Sequence, residues 1–87
     1  MSRSGTILVI EDDPGTADSL RQVLEDEGHA VIAAATGEEG LALAAKKNCD
    51  VVLTDLKLPD LSGLDIVKRL RTVQAGLPII LMTAHGT

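Results

Sequence analysis

The chain has 87 residues, a length that fits one small domain whose core is aliphatic, because Phe, Tyr and Trp are absent. Its 13 acidic and 8 basic residues give a net charge of −5, which argues against binding of nucleic acid. No apolar run approaches the roughly 20 residues of a membrane helix, and a lone cysteine suits a reducing compartment. We therefore expect a cytoplasmic protein that binds neither nucleic acid nor a membrane.

The first predicted unit is a strand followed by a helix. Thr6–Ile10 is an unbroken apolar run rich in β-branched residues, which is typical of a strand that is covered on both faces. Three acidic residues follow at positions 11 to 13. Pro14 suits the first turn of a helix, in which apolar residues recur at positions 17, 20 and 24 until Gly28 ends it.

The same pattern then repeats twice and closes with a strand. The further predicted elements are a strand at Ala30–Ala33, a helix opened by a Thr36-x-x-Glu39 capping box, a strand at Val51–Thr54, a helix containing Leu64, Ile66, Val67 and Leu70, and a strand at Leu77–Met82. Strands that alternate with helices of about ten residues indicate βαβ crossovers. The predicted fold is therefore α/β with a parallel sheet, and such folds bind ligands beyond the carboxyl ends of the strands.

Acidic side chains follow two of these strands at that edge. Glu11, Asp12 and Asp13 follow the first strand and Asp55 follows the third, whereas the second strand delivers only alanines. A like-charged pair about 4 Å apart costs roughly 4 kcal/mol at an effective dielectric constant near 20, so the acids need a neutralising partner. An oxygen-only ligand set without Cys or His suits Mg²⁺ or Mn²⁺.

A magnesium site of this kind also predicts a phosphate ligand. Mg²⁺ held by one or two carboxylates keeps open positions that phosphate oxygens can fill. Thr83, at the end of the fourth strand, offers a hydroxyl donor to such an oxygen. Asp55, at the centre of this group, is a candidate nucleophile that would form an aspartyl-phosphate.

Three motifs in register resemble the receiver domain of bacterial response regulators. They are Ile7 to Asp13 with its acidic end, Leu53-Thr54-Asp55 followed by Leu58-Pro59-x-Leu61-Ser62-Gly63, and Ile80 to Gly86 with its Thr83-Ala84-His85 sequence. Asp55 lies 43 residues after Asp12 and 28 before Thr83, and both spacings match the family pattern. The Thr-Ala-His sequence is most similar to receivers of enhancer-binding transcription activators.

The resemblance implies a flavodoxin-like (CheY-like) sheet with strand order 2-1-3-4 and a signalling phosphoacceptor that catalyses only its own phosphorylation and dephosphorylation. It makes Asp55 the phosphorylation site and Asp12 a direct metal ligand that Glu11 supports. The backbone carbonyl of Lys57 would be the third metal ligand, and Thr83 would bind a phosphoryl oxygen. The phosphodonor would be a phosphohistidine of a sensor histidine kinase. Asp13 would start a helix, and a metal contact for it is left open.

A complete receiver continues into a fourth helix, a fifth strand that carries a lysine, and a fifth helix. We therefore expect residues 1–87 to be the N-terminal portion of a receiver domain, in which none of Lys46, Lys47, Lys57 and Lys68 takes the place of that lysine. Phosphorylation would then be slower or weaker. The apolar Ile79–Met82 strand would form a sheet edge through which the chain self-associates or swaps elements.

Two other functions are weighed against the phosphoacceptor. A haloacid-dehalogenase-type phosphatase also uses an aspartate nucleophile and Mg²⁺, but it needs a second acid two residues later, where this chain has Lys57. The second alternative is a receiver fragment that is not phosphorylated and acts as a protein interaction or oligomerisation module. A thermal shift with Mg²⁺ and beryllofluoride would separate this module from a phosphoacceptor.

Overall fold

The computed structural model describes residues 5–82, within which four strands alternate with three helices. In chain order the elements are β1 (Thr6–Ile10), α1 (Pro14–Asp26), β2 (Ala30–Ala34), α2 (Gly37–Lys46), β3 (Val51–Asp55), α3 (Gly63–Val73) and β4 (Ile79–Met82). The predicted alternation is confirmed, and the strand boundaries move by at most two residues. None of these three helices combines the length and the hydropathy that a membrane crossing requires.

The strands form one parallel sheet in the order β2-β1-β3-β4, as the family resemblance implied. Ile10 at the end of β1 lies opposite Thr54 of β3 on one side and Ala34 of β2 on the other. The chain therefore leaves β1 and β3 at neighbouring points of the carboxyl edge. This register decides which side chains meet there.

The core lies on both faces of the two central strands. Leu8, Val9, Ile10 and Val52 have no exposed surface, which agrees with the unbroken apolar runs in the sequence. Helices α2 and α3 cover one face with buried Ala44, Ile66 and Leu70. Leu64, one of the apolar residues predicted for α3, is 57% exposed, so the buried face of this helix is narrower than its sequence suggested.

Helix α1 begins and ends as the sequence predicts. Pro14 occupies its first turn, and Asp13 is the N-cap residue whose side chain accepts the Thr16 amide. After the helix, Gly28 has a φ of +94°, a left-handed conformation that glycine adopts without strain. No residue of α1 is fully buried, and only Ala17, Leu20 and Leu24 are partly buried.

The capping box predicted for α2 is only half correct. The Thr36 hydroxyl accepts the Glu39 amide at 3.1 Å, as expected. The Glu39 carboxylate, however, accepts the amide of Ala35 at 2.9 Å instead of that of Thr36. A reciprocal box is formed at the start of α3, where Ser62 and Asp65 accept each other's amides.

Candidate metal centre

Three carboxylates converge at the carboxyl edge of the sheet. Glu11, Asp12 and Asp55 each offer one oxygen, and these oxygens all lie within 4.8 Å of one another. The first two residues follow β1 and the third ends β3, so the register of these neighbouring strands brings them together. The prediction that acids from two strand ends meet is confirmed.

Asp55 is nearly enclosed, with 5% of its surface exposed. Among residues 5–82 its carboxylate has one long contact, in which the Lys57 amide donates to Oδ1 at 3.4 Å. The backbone around it is closely packed, since an added Cβ at Gly63 would lie 2.7 Å from the Asp55 carbonyl oxygen. The strand end is thus held tightly, while the described part of the chain gives the carboxylate none of the strong donors that usually accompany a buried charge.

Glu11 is equally enclosed, with 5% of its surface exposed. Burial raises the pKa of its carboxyl above the ordinary 4.5, the Asp13 amide that donates to Oε2 at 2.9 Å opposes this rise, and the charges of Asp55 and Asp12 add to it. The raised pKa has the direction expected for a carboxylate placed among other carboxylates. A cation bound in the cluster would instead lower the pKa of the Glu11 carboxyl, because it favours the charged form.

The donor set fits a hard divalent cation. Glu11 and Asp55 are both buried, and two charges 4.8 Å apart repel by about 3–4 kcal/mol at an effective dielectric constant of 20. Asp12 is exposed, so an ion could reach the cluster from solvent through its side. Within residues 5–82 the cluster contains only carboxylate oxygens, the ligands that Mg²⁺ and Mn²⁺ prefer.

Asp13 lies outside this cluster and has a different task. Its Oδ2 accepts the Thr16 amide at 3.0 Å and the Thr16 hydroxyl at 2.6 Å. These two bonds lower the pKa of the Asp13 carboxyl, the hydroxyl having the larger effect. The metal contact that the sequence left open for Asp13 therefore competes with a complete helix cap.

The two remaining candidate residues differ in what the structure says of them. Lys57 lies in the loop after β3, with an exposed side chain, and its backbone is next to Asp55. Its carbonyl accepts none of the hydrogen bonds found within the described part of the loop. Thr83 lies outside the described residues, and Met82 before it is paired with Asp55 in the sheet.

One acid of the loop after β3 could not be singled out from the sequence. Asp60 accepts the amides of Gly37 and Glu38, which lie 23 and 22 residues earlier in the chain. A contact of this range leaves no periodic trace in a single sequence. The only local feature in the sequence is that Asp60 directly follows Pro59, and a Pro-Asp pair indicates a turn and no more.

Comparison with known proteins identifies the family. The family model described as the response regulator receiver domain matches residues 7–87. The chain belongs to this family. Among curated relatives, transcriptional regulatory protein GlrR of Escherichia coli is 36% identical over 93% of this chain and 18% of its own length. Sporulation initiation phosphotransferase F of Bacillus subtilis is 35% identical over 92% of this chain and 64% of its own length.

Solved receiver structures have the same architecture. The response regulator TrrA of Thermotoga maritima, solved in complex with Mg²⁺ and BeF, superimposes with a TM-score of 0.90 at 34% identity, over 94% of this chain and 71% of that one. A CheY-like receiver protein of Methanospirillum hungatei gives 0.91 at 34% identity, over 98% and 68%. The flavodoxin-like, CheY-like fold expected from the motifs is confirmed, and this chain is a receiver domain of the two-component response regulator family.

Proposed function

We propose that this receiver accepts a phosphoryl group on Asp55 in the presence of Mg²⁺. The observation that carries the proposal is the convergence of Glu11, Asp12 and Asp55 within 4.8 Å at the carboxyl edge of a receiver fold. Two of these acids are buried without a cationic partner among the described side chains. Such an arrangement costs stability unless an ion binds, so it is better explained by binding than by folding.

The residues of this chain would hold Mg²⁺ through carboxylate oxygens of Asp12 and Asp55 and the carbonyl oxygen of Lys57. Glu11 would keep Asp12 in place and add negative charge behind it. When bound, Mg²⁺ would neutralise the carboxylates and the transferred phosphoryl oxygens. The same assignment with Mn²⁺ is chemically consistent, because both ions prefer oxygen ligands.

The chemical step at Asp55 is a substitution at phosphorus. A carboxylate oxygen of Asp55 forms a bond to phosphorus as the bond between phosphorus and the donor nitrogen breaks, and the departing imidazole keeps the electron pair. We assign the donor to a phosphohistidine of a sensor histidine kinase. Asp55 suits the role of acceptor because it is fixed at a strand end, and because its carboxylate makes a single long hydrogen bond to the described residues that transfer would have to disrupt.

Thr83 completes the proposal as the residue whose hydroxyl would donate to a phosphoryl oxygen. The chain acts here as a phosphoacceptor in a signalling pathway, and its catalysis is confined to its own phosphorylation and dephosphorylation. We place it in the cytoplasm with its kinase, and we assign residues 1–87 to the N-terminal portion of the receiver. Neither nucleic acid nor a membrane is proposed as a direct partner.

Incubation with acetyl phosphate and Mg²⁺, followed by intact-mass measurement, tests the proposal. We expect the mass of one phosphoryl group on the wild type, none on Asp55→Asn, and none after chelation of Mg²⁺. Asp50→Asn is the matched control, because it removes an acid just before the same strand and should leave phosphorylation intact. Phosphorylation of Asp55→Asn at the wild-type level would refute the assignment.

A second candidate function is self-association as an interaction or oligomerisation module. It is favoured by two apolar side chains of β4, since within the described residues Ile80 is 52% and Leu81 39% exposed. An exposed apolar strand at a sheet edge is a template for pairing with another copy. Size-exclusion chromatography with light scattering should show a dimer that Ile80→Lys converts to a monomer, and a monomeric wild type at all concentrations would exclude this function.

A further inference from the structure

The loop between β3 and α3, residues 56–62, is shaped as a small hairpin. The Leu58 amide donates to the Leu61 carbonyl at 3.1 Å, and the Gly63 amide donates to the Leu56 carbonyl at 2.7 Å. Lys57 lies between these two bonds, opposite Ser62. Within the described residues the Lys57 carbonyl accepts no backbone hydrogen bond, so it is available to a metal ion. The direction in which this carbonyl points depends on further contacts that hold the hairpin.

The tip of this hairpin is bound to helix α2. Asp60 Oδ1 accepts the Gly37 amide at 2.8 Å, and Asp60 Oδ2 accepts the Glu38 amide at 2.9 Å. The first amides of a helix have no acceptor within it, so Asp60 satisfies two donors that Thr36 does not reach. A single side chain thus ties the loop to an element that begins about twenty residues earlier.

Close packing holds the same contact from a second side. Gly37 is buried, and an added Cβ there would lie 2.9 Å from Cβ and Cδ1 of Leu61 and 3.1 Å from Cδ1 of Ile66. The absence of a side chain at Gly37 therefore lets α2 approach the loop. Leu58 and Leu61 of the loop are partly buried against the core, whereas Lys57, Pro59 and Asp60 are exposed, so packing anchors the leucines and the Asp60 bonds hold the exposed tip.

We propose that Asp60 is a positioning residue of the phosphoacceptor site. By binding the first two amides of α2, it holds the hairpin so that the Lys57 carbonyl stays beside Asp55 before any ion arrives. The inference rests on the proposed function, since it concerns the metal ligand assigned there to Lys57. Without Asp60 the carbonyl would have to be ordered at the moment of binding, and the affinity for Mg²⁺ would fall.

Calorimetric titration with Mg²⁺, at a temperature where every variant is folded, tests this role. Asp60→Ala should weaken Mg²⁺ binding about tenfold, in the range seen when residues that orient metal ligands are lost. Asp60→Asn keeps one acceptor oxygen and should recover part of the loss. Asp26→Ala, which removes an acid at the far end of α1, should bind as the wild type does.

Two further variants separate position from charge. Asp60→Glu keeps the charge but is one methylene longer, so we expect it to bind Mg²⁺ as weakly as Asp60→Ala. Gly37→Ala changes no charge but pushes Leu61 away, and it should also weaken binding. Gly15→Ala is its control, because a Cβ at that first-turn glycine of α1 meets nothing nearer than 3.7 Å.

The outcomes distinguish failure of the positioning role from failure of the proposed function. If the wild type and Asp26→Ala bind Mg²⁺ and Asp60→Ala binds equally well, the positioning role is wrong and the proposed function stands. Wild-type affinity in Asp60→Glu would attribute the effect to charge and would also overturn the role. If the wild type itself does not bind Mg²⁺, both the proposed function and the positioning role of Asp60 are wrong. Amide exchange at Gly37 and Glu38, slow in the wild type and fast in Asp60→Ala, reports the contact independently of Mg²⁺.

Discussion

The two ends of β3 each have an aspartate, and the two are used differently. Asp50, just before the strand, is exposed, and its carboxylate accepts the Thr6 amide at 2.7 Å, while its own amide donates to the Thr6 carbonyl at 2.8 Å. Asp55, the last residue of the strand, is buried among other acids, and its carboxylate has only the 3.4 Å contact with the Lys57 amide within residues 5–82.

This difference distinguishes a structural acid from a functional one at opposite ends of β3. A carboxylate that accepts a strong amide bond stabilises the fold, and its removal leaves a backbone donor without a partner. A buried carboxylate with acidic neighbours destabilises the fold, and its presence indicates a ligand. Asp13 and Asp60 resemble Asp50 in that their carboxylates accept backbone amides, and for Asp60 this bond is the means by which it positions the loop. Glu11 combines both features, because it is buried among acids and also accepts the Asp13 amide.

The largest expected effect concerns the glycines near the two ends. Gly63→Ala should lower the free energy of unfolding by about 3 kcal/mol, because its Cβ would lie 2.7 Å from the Asp55 carbonyl oxygen, a backbone atom that cannot move aside. Gly5→Ala should cost clearly less, because its Cβ meets the movable Asp50 side chain at 2.8 Å. Urea unfolding followed by circular dichroism measures both, and equal costs would contradict the difference in rigidity.

Removal of Asp55 should stabilise the protein when no divalent ion is present. Asp55→Ala relieves repulsion with Glu11 and the burial of a charge, and we expect a gain of about 2 kcal/mol in the free energy of unfolding in EDTA. The same urea experiment, repeated with excess Mg²⁺, should remove the advantage of the variant. A loss of stability in metal-free buffer would show that Asp55 supports the fold.

The acid at the other end of β3 should behave in the opposite way. Asp50→Ala leaves the Thr6 amide without its side-chain acceptor, and we expect a loss of about 1 kcal/mol, the size of one exposed hydrogen bond to a charged group. The loss should be the same with and without Mg²⁺. A loss that depends on Mg²⁺ would erase the distinction between the two ends.

The smallest effect is a pH dependence that originates at Asp60. The amides of Glu38 and Gly37 lower the pKa of the Asp60 carboxyl below the ordinary 3.8, so its contribution to stability is present above pH 3.8 and is lost as the pH falls through the lowered value. The wild type should therefore melt above Asp60→Asn at neutral pH, and this difference in Tm should shrink in acid. A difference that is unchanged in acid would mean that the Asp60 charge is not stabilised by those amides.

Much of the architecture could be predicted from the sequence, because it depends on local patterns. The apolar run Thr6–Ile10 and the strand–helix alternation indicate a parallel sheet, and the spacing of Asp12 and Asp55 indicates the family. The meeting of the acids follows from the rule that parallel strands end at one edge. The register then fixes which of these acids come together.

The parts that could not be predicted depend on contacts between distant segments. The attachment of Asp60 to α2 spans more than twenty residues and leaves no pattern in the sequence. The carboxylate of Glu39 accepts the amide of Ala35, one residue before the partner that the capping-box pattern specifies. The exposure of Leu64 likewise depends on how far α3 is rotated against the sheet.

Thermal unfolding with and without Mg²⁺, compared between the wild type, Asp12→Asn and Asp55→Asn, tests the central claim most directly. At Mg²⁺ a hundredfold above its dissociation constant, the account predicts that the wild type gains about 2.7 kcal/mol, that beryllofluoride raises its Tm further, and that both variants respond weakly or not at all. A wild type whose Tm does not change with Mg²⁺, or variants whose Tm rises as much as that of the wild type, would contradict the claim that these carboxylates share one ion.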